Sequence, residues 1–337
     1  MFRNKDYIRD AIVNLESTIN QKVNVEGALK EYDAIVAING IDFTVSAKSE
    51  IRSSNIGLVL SQIMELKAKT KRPIIVIAKF IAAEVAKELK SKSINYLDIS
   101  GNAYIKEGNL FLYVTGQKVV KAKKTNQSRA FQDVGLRLIF NFLVKPESLQ
   151  LSYRELSEQT GIAIGSISNV MKELEDLNFL IKTETKRVFK KKQDLLDRWI
   201  VAYHDVLRPK LVRRTLRFAD KNSYSVWKEL VLKNQCDNKV FWGGEPAAAL
   251  ITNYLKPSFY TIYTTTGWQE CAKNLSLVPD DNGDVEILTA FWNDSINKTS
   301  QFTVPALLVY ADLIGSGLER NLETAKILFE NELQNIK

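Results

Sequence analysis

Histidine and cysteine are scarce in this chain of 337 residues. His204 is the single histidine, so catalytic triads, cysteine–histidine pairs and zinc sites built from several histidines lack the side chains they need. The two cysteines, Cys236 and Cys271, are too few for a disulfide framework and suit a reducing cytoplasm. We therefore expect no metal centre and no cofactor, and we expect His204 to be an ordinary polar residue of a basic helix.

Segments that would enter a membrane are also missing. The first ten residues, MFRNKDYIRD, are polar, which argues against a signal peptide. No run of about 18 consecutive apolar residues occurs, so a membrane-spanning helix is not expected. These features predict a cytoplasmic protein without a membrane partner.

Positive charge exceeds negative charge in the sequence. The 47 lysine and arginine residues outnumber the 39 aspartate and glutamate residues, and the formal net charge is +8. A basic excess of this size permits binding to nucleic acid but does not by itself establish it. The length predicts two or three domains, and the hydrophobic content of 45% suffices to build their cores.

Residues 1–120 have the pattern of an α/β domain. DYIRDAIVNLESTI is typical of a helix, and two β-prone runs that follow it are joined by Asn39 and Gly40. Asn-Gly is the favoured two-residue hairpin turn because both residues tolerate positive φ. A predicted helix then precedes PIIVIAKF, a continuous apolar run typical of a strand buried on both faces. The basic segment 118–128 is predicted to be a linker.

The hairpin carries two residues in a spacing found in nucleases. Restriction-endonuclease-like folds of the PD-(D/E)XK type place an aspartate on one strand and a (D/E)-x-K motif on the next, and the carboxylates hold Mg²⁺ at the scissile phosphate. Asp33 and Lys48 have this spacing, but Ser46 occupies the acidic position, and a hydroxyl is a poor Mg²⁺ ligand. The segment therefore resembles a nuclease core with a degraded metal site, or it is an unrelated hairpin. Activity would need another acid, such as Glu26 or Glu31.

Residues 129–200 contain the elements of a winged helix–turn–helix in the required order. Ser152 and Glu155 have the spacing of a capping box at a helix start. Gly161 fits the tight turn that ends this helix. The next helix has apolar residues at three-to-four spacing between Ile167 and Leu177, and two short β-prone runs after it predict the wing.

Polar side chains of this region are the candidate DNA contacts. The second helix carries small polar residues opposite its apolar face, as a helix that enters a groove requires. Asn169 is the best candidate for reading a base, because its amide can pair bidentately with adenine. Basic residues of the wing can bind phosphates, and the acidic residues that end the helix should face away from them. The predicted DNA-binding set is Ser166, Ser168, Asn169, Lys172, Lys182, Lys186, Arg187, Lys190, Lys191 and Lys192.

Two other interpretations of this motif stay open. The two helices can form an internal helical hairpin of a larger core. A winged helix can also serve protein contacts alone, in which case no duplex would bind with salt-dependent affinity.

Residues 201–337 are predicted to begin with a basic helical connector and to continue as a mixed α/β domain. The basic tract at 201–235 includes RPKLVRRTLRF, which could clamp DNA, contact an acidic neighbour or be solvated. Gly243 and Gly244 precede a predicted helix, but they are a weak phosphate-site signal because Glu245 would repel an anion.

Three stretches of the sequence resemble one known family. They are NYLDISGNAYI (95–105), FWGGEPAAALITNYLKP (241–257) and VPALLVYADLIGSGLERNLETAKILFE (304–330). Together with the winged helix, they are similar to AbiEi-like proteins, which are transcriptional regulators and antitoxins of type IV toxin–antitoxin (abortive infection) systems. The resemblance implies a cytoplasmic protein that binds its own promoter and counters a toxin without necessarily touching it. Simpler members begin at the winged helix, whereas 128 residues precede it here.

The sequence therefore predicts an α+β, or α/β, protein of several domains. They are a restriction-endonuclease-like α/β domain (1–120), a winged helix–turn–helix (129–200) and the C-terminal part (201–337). We expect a non-enzymatic regulator whose partners are double-stranded promoter DNA and a cognate toxin. A homodimer is compatible with this role because such regulators commonly read palindromes. The alternative function is a Mg²⁺-dependent DNA nuclease that uses Asp33 and Lys48 and is targeted by the winged helix.

Overall fold

The chain forms two compact units in a computed structural model, Met1–Thr125 and Asn126–Lys337. The structure describes residues 6–20, 22–26, 33–117, 128–233, 240–293 and 302–336. Most of the predicted linker at 118–128 and the side chains of Glu26 and Glu31 lie outside the described residues. No helix in the described ranges is long and apolar enough to span a membrane.

The first unit is a mixed seven-stranded sheet with three helices. The helices are α1 (Asp6–Ile19), α2 (Ile56–Lys69) and α3 (Ala83–Ser91). The strands are β1 (Asn24–Glu26), β2 (Ala34–Ile38), β3 (Ile41–Ile51), β4 (Ile74–Ile81), β5 (Asn95–Asp98), β6 (Ala103–Glu107) and β7 (Leu110–Val114). Strand order in the sheet follows chain order, and β3, β4 and β5 are parallel while the other neighbours are antiparallel.

Local sequence explains the central strands of this unit. Asn39 and Gly40 have φ of 50° and 78°, so both residues of the β2–β3 turn adopt the left-handed backbone that the sequence predicts. The apolar run from Ile74 to Ala78 is buried throughout, because β4 lies between two parallel neighbours with helical crossovers on either side of it in sequence.

The second unit begins with a bundle of helices and a two-stranded ribbon. A 3₁₀ turn (Arg129–Phe131) precedes α4 (Asp133–Val144), and a second 3₁₀ turn (Pro146–Gln150) precedes α5 (Tyr153–Thr160) and α6 (Ile164–Asp176). The antiparallel strands β8 (Leu180–Lys182) and β9 (Arg187–Phe189) follow, and then α7 (Lys192–Ala202). This order of elements is the one predicted for residues 129–200.

The rest of the unit is a five-stranded sheet with helices. After a π-helical turn (Tyr203–Leu207), the helices are α8 (Arg208–Leu211), α9 (Trp227–Lys233), α10 (Gly244–Thr252), α11 (Trp268–Asn274), α12 (Ala306–Ser316) and α13 (Glu319–Glu332). The strands are β10 (Val212–Phe218), β11 (Val240–Gly243), β12 (Tyr260–Thr264), β13 (Leu277–Pro279) and β14 (Val285–Thr289). Their order is β11-β12-β14-β10-β13, and only the β12–β14 pair is parallel. The mixed α/β architecture predicted for both ends of the chain is therefore present.

The predicted basic helical connector is wrong over part of its length. Helix α8 ends at Leu211, Val212–Phe218 is a strand that pairs with β14 and β13, and an α-helix resumes only at α9. Leu216 and Phe218 are buried at a period of two, as in a strand. A bulge between Val212 and Arg214 interrupts this alternation. The sequence of this basic segment therefore lacks the regular pattern by which a strand could be predicted.

Candidate nucleic-acid interface

A short turn joins α5 and α6, which are the two helices of the predicted helix–turn–helix. The Glu155 backbone N–H donates to Ser152 Oγ at 3.3 Å, and Glu155 Oε2 accepts from the Ser152 N–H at 2.7 Å. This capping box starts α5, and the hydrogen bond from the Ser152 N–H lowers the pKa of the Glu155 carboxyl. Gly161 ends α5 at a φ of 70°, a backbone conformation that favours glycine. Both sequence predictions for this turn are confirmed.

Helix α6 has one buried and one open face. Ile167, Val170, Met171 and Leu174 are at most 3% exposed and pack into the core of the unit. The polar residues opposite them lie at the surface. Ser168, Asn169 and Lys172 are exposed and Ser166 is half-buried.

At the N-terminal end of the open face, Gly165 has no side chain and is surrounded by open space. A side chain added at Gly165 would meet no atom within 4 Å. Since small residues let a helix approach base edges closely, this flank suits entry into a major groove.

Of the three acidic residues near the end of α6, Glu173 is turned toward the protein, whereas Glu175 and Asp176 are exposed. Glu173 accepts hydrogen bonds from the backbone N–H groups of Arg129 at 3.0 Å and Ala130 at 2.7 Å. Its carboxylate thereby fixes the 3₁₀ turn that precedes α4. The Glu173 charge is thus held by backbone donors of the same unit.

The predicted wing is a short hairpin of β8 and β9 with several exposed lysines. The Thr183 N–H donates to the Lys186 carbonyl at 2.8 Å and closes the tip between β8 and β9. Five of the predicted phosphate contacts lie on or beside this hairpin. They are Lys182, Lys186, Lys190 and Lys191, which are exposed, and Lys192, which is half-buried at the start of α7.

Arg187 differs from the other basic residues of the wing. Its Nη1 donates to the carbonyls of Leu149 at 3.0 Å and Leu151 at 2.9 Å, and its guanidinium lies 5.2 Å from the centre of the Tyr153 ring. These contacts tie the wing to the segment that precedes α5. Arg187 therefore positions the wing, and its predicted contact with phosphate remains a prediction.

The basic tract after α7 is largely engaged within the protein. Arg208 forms ion pairs with Glu286 and, at 3.4 Å, with Asp312. Lys210 Nζ lies 3.3 Å from Asp133 Oδ2. Of the three interpretations of this tract, contact with acidic neighbours is thus the one seen at Arg208 and Lys210.

The hairpin of the first unit places Asp33, the residue before β2, beside β3, which carries Lys48. Asp33 Oδ2 accepts from the Ala47 N–H at 2.7 Å, Lys48 Nζ donates to Gln62 Oε1, and the Ser46 side chain is buried. No group of three or more histidine, cysteine, aspartate or glutamate residues in the described ranges is placed to hold a metal ion. The nuclease hypothesis gains no support from these residues and stays a prediction.

A buried polar cluster in the second unit was not expected from the sequence. Arg208, Glu286 and Asp312 meet there, and His204 lies beside them with its ring against Gly315. Burial lowers the pKa of His204 to about 4, so the ring is neutral, and Nε2 lies 2.8 Å from the Ala311 carbonyl. The signal in the sequence is Asp312, a lone acid in the apolar helix α12.

Residues 187–334 match the model of a family described as a transcriptional regulator and AbiEi antitoxin of the type IV toxin–antitoxin system. This match confirms the predicted resemblance for the C-terminal part of the chain. It begins at β9 and leaves α5, α6 and the first unit outside. No curated protein and no solved structure matches the chain.

Proposed function

We propose that this chain, which matches the AbiEi antitoxin and regulator family over residues 187–334, is a DNA-binding regulator of its own promoter. Helix α6 enters the major groove, and the basic residues of the wing bind the flanking phosphates. The chain acts at the same time as the antitoxin of a type IV system. As a homodimer it reads a palindromic operator.

One observation carries the DNA-binding part of the proposal. The flank of α6 with Ser168, Asn169 and Lys172 is exposed, while its opposite flank is fully packed. The wing beside α6 adds exposed lysines, among them Lys186. Small polar side chains for base edges and lysines for phosphates are the two classes of contact that a specific DNA complex needs.

Within this proposal Asn169 reads a base and Lys172 supports the contact from the next turn. Substituting Asn169→Ala removes the bidentate amide and should reduce discrimination between the operator and a shuffled duplex by about 1–3 kcal/mol. Binding to the shuffled duplex should change little, because phosphate contacts remain. Fluorescence anisotropy titrations with the two duplexes measure both affinities.

Asn282→Ala provides the matched control, since Asn282 is exposed in a turn outside α6 and the wing. Equal discrimination by the wild-type protein and Asn169→Ala would show that α6 is not the reading helix. Failure of the wild-type protein to prefer its own upstream DNA would remove the regulator function itself.

The antitoxin part of the proposal rests on the family match and has its own test. The protein encoded by the neighbouring reading frame is expressed in bacteria with and without this chain. Restored growth on coexpression supports the antitoxin role, and unchanged toxicity, or no toxicity to counter, contradicts it.

A further inference from the structure

A cavity of about 490 Å³ opens in the second unit beside α10, α12 and the strands β12 and β14. Its volume is in the range of pockets that bind small molecules. The lining differs from most such pockets because it includes the charged residues Arg208, Glu245, Glu286 and Asp312. The three acidic residues are each at most 8% exposed. Their carboxylates are therefore fixed by the packing around them.

The charges around this cavity do not balance. Glu245 is compensated by Arg320, whose Nη2 lies 2.6 Å and 2.7 Å from its two carboxylate oxygens. Glu286 and Asp312 both bond Arg208, which is the only cation that the described residues place against them. One positive charge thus faces two negative charges. The buried site needs either a proton or a bound cation to complete it.

Hydroxyl donors already satisfy part of Asp312. The Tyr263 hydroxyl lies 3.0 Å from Asp312 Oδ2, the Tyr203 hydroxyl lies 3.1 Å from Oδ1, and the two hydroxyls lie 2.7 Å from each other. With one proton on each hydroxyl, at least one of them donates to the carboxylate. Burial raises the pKa of both tyrosines well above the ordinary value, so they are neutral and add no charge. Burial likewise raises the pKa of the Glu286 and Asp312 carboxyls, and the nearby Arg208 only partly opposes this effect.

Residues that line the cavity also carry acceptors that the described residues leave without a donor. Asn321 is 2% exposed and its Nδ2 donates to Glu245 Oε1 and to Ser316 Oγ, both at 3.0 Å. Since a carboxylate can only accept, these bonds fix the amide with Oδ1 as its oxygen, and Oδ1 has no partner. Glu286 Oε1 accepts hydrogen bonds from Arg208 Nη2 and from Thr261 Oγ1. No described residue donates a hydrogen bond to Glu286 Oε2.

His204 contributes a further acceptor to the lining. Because the Ala311 carbonyl accepts, His204 Nε2 carries the proton of the neutral ring, which leaves Nδ1 as an acceptor. The lining therefore combines unpaired acceptors with two buried carboxylates that share one guanidinium. An anion would meet repulsion here, whereas a cation with several N–H donors would satisfy both needs.

We propose that this cavity binds a small organic cation of the guanidinium or amine class. Its charged end pairs with Glu286 beside Arg208, and its N–H groups donate to the unpaired acceptors of the lining, Asn321 Oδ1 among them. The proposal does not depend on DNA binding. It assigns a ligand site to the part of the chain that matches the family model.

The test uses the full-length protein and a pair of probes that differ in charge. n-Butylguanidinium and N-butylurea have the same stem and a planar head of similar size, but only the first is a cation. Isothermal titration calorimetry near neutral pH should show saturable binding of one n-butylguanidinium per chain, and binding of N-butylurea weaker by roughly tenfold or more.

Variants locate the site. Glu286→Gln and Asn321→Leu should each weaken binding of n-butylguanidinium by roughly tenfold. Glu332→Gln, an exposed position at the end of α13, should leave it unchanged. Thermal melting curves establish that each variant is folded.

Three outcomes would overturn the proposal. They are no saturable binding of n-butylguanidinium, equal binding of the two probes, and binding unchanged in folded Glu286→Gln. If either variant fails to fold, the discrimination between the two probes by the wild-type protein decides the question.

Discussion

At the scale of single residues, His204 makes stability depend on pH. Its folded-state pKa of about 4 lies below the ordinary value of 6.5, so only the unfolded chain takes up a proton between these values. Stability contributed by the neutral ring is therefore complete above pH 6.5 and is lost as the pH falls toward 4. The expected loss is roughly 3 kcal/mol in the free energy of unfolding.

Urea denaturation at several pH values measures this effect, with His204→Asn as the comparison. Glu286 and Asp312 have raised pKa values and act in the opposite direction, but they are present in both proteins. The difference between the two pH profiles thus isolates the histidine. Parallel profiles between pH 7 and 4.5 would show that His204 is not buried in its neutral form.

Single residues also show where sequence reasoning succeeds and where it fails. Ser168 and Asn169 could be placed on an open face because the apolar residues of their own helix define the opposite face. His204, Glu286 and Asp312 come from distant parts of the chain and meet only after the sheet and α12 have packed. No local pattern encodes such a meeting, so the cavity could not be predicted.

At the scale of elements, the capping box stabilises the start of α5, the first helix of the proposed helix–turn–helix. Substituting Ser152→Ala removes the acceptor for the Glu155 N–H and should lower the free energy of unfolding by about 1 kcal/mol. All five tryptophans lie between residues 199 and 292, so their fluorescence reports on the second unit alone. Urea titration followed by this fluorescence gives the change.

Ser168→Ala is the control for this prediction, because it removes a serine from the same motif at an exposed position. Its effect on stability should stay within about 0.5 kcal/mol. A Ser152→Ala protein as stable as the wild type would mean that the capping box does not hold α5 in solution.

Elements whose apolar residues recur at a regular spacing were predicted well. Elements in which that spacing is interrupted were not. Helix α1 coincides with the predicted DYIRDAIVNLESTI, and the β2–β3 turn falls at Asn39 and Gly40. Strand β10 was predicted as helix, since its bulge leaves only Leu216 and Phe218 in clear alternation. The pairing of β10 with β14, which is distant in sequence, decides its structure.

At the scale of the whole molecule, the second unit combines the proposed DNA-reading helices with the proposed ligand site. Stacked rings connect the two regions, with Phe140 of α4 5.6 Å from Trp199 and Trp199 5.1 Å from Tyr203. The Tyr203 hydroxyl in turn contacts Asp312 at the cavity. The helical bundle and the five-stranded sheet therefore share one aromatic core.

The first unit is the part of the chain with the least defined role. Apart from the short strand β1, which was not predicted, its sheet and helices follow the predicted α/β order. Asp33, just before β2, lies beside β3, which carries Lys48. The expectation that it is an inactive nuclease-like domain awaits plasmid incubation with Mg²⁺ or Mn²⁺. Cleavage that disappears in Asp33→Ala would establish the nuclease alternative.

The most direct test of the central claim is the salt dependence of duplex binding. Affinities of the wild-type protein and of Lys186→Ala for operator and shuffled duplexes are measured across a series of salt concentrations, with the exposed Lys326→Ala as control. We predict salt-dependent binding to both duplexes, and we predict that Lys186→Ala weakens both and lowers the slope of log affinity against log salt by about one. Absence of duplex binding at low salt, or a slope unchanged in Lys186→Ala, would contradict the assignment of α6 and the wing as a DNA-binding surface.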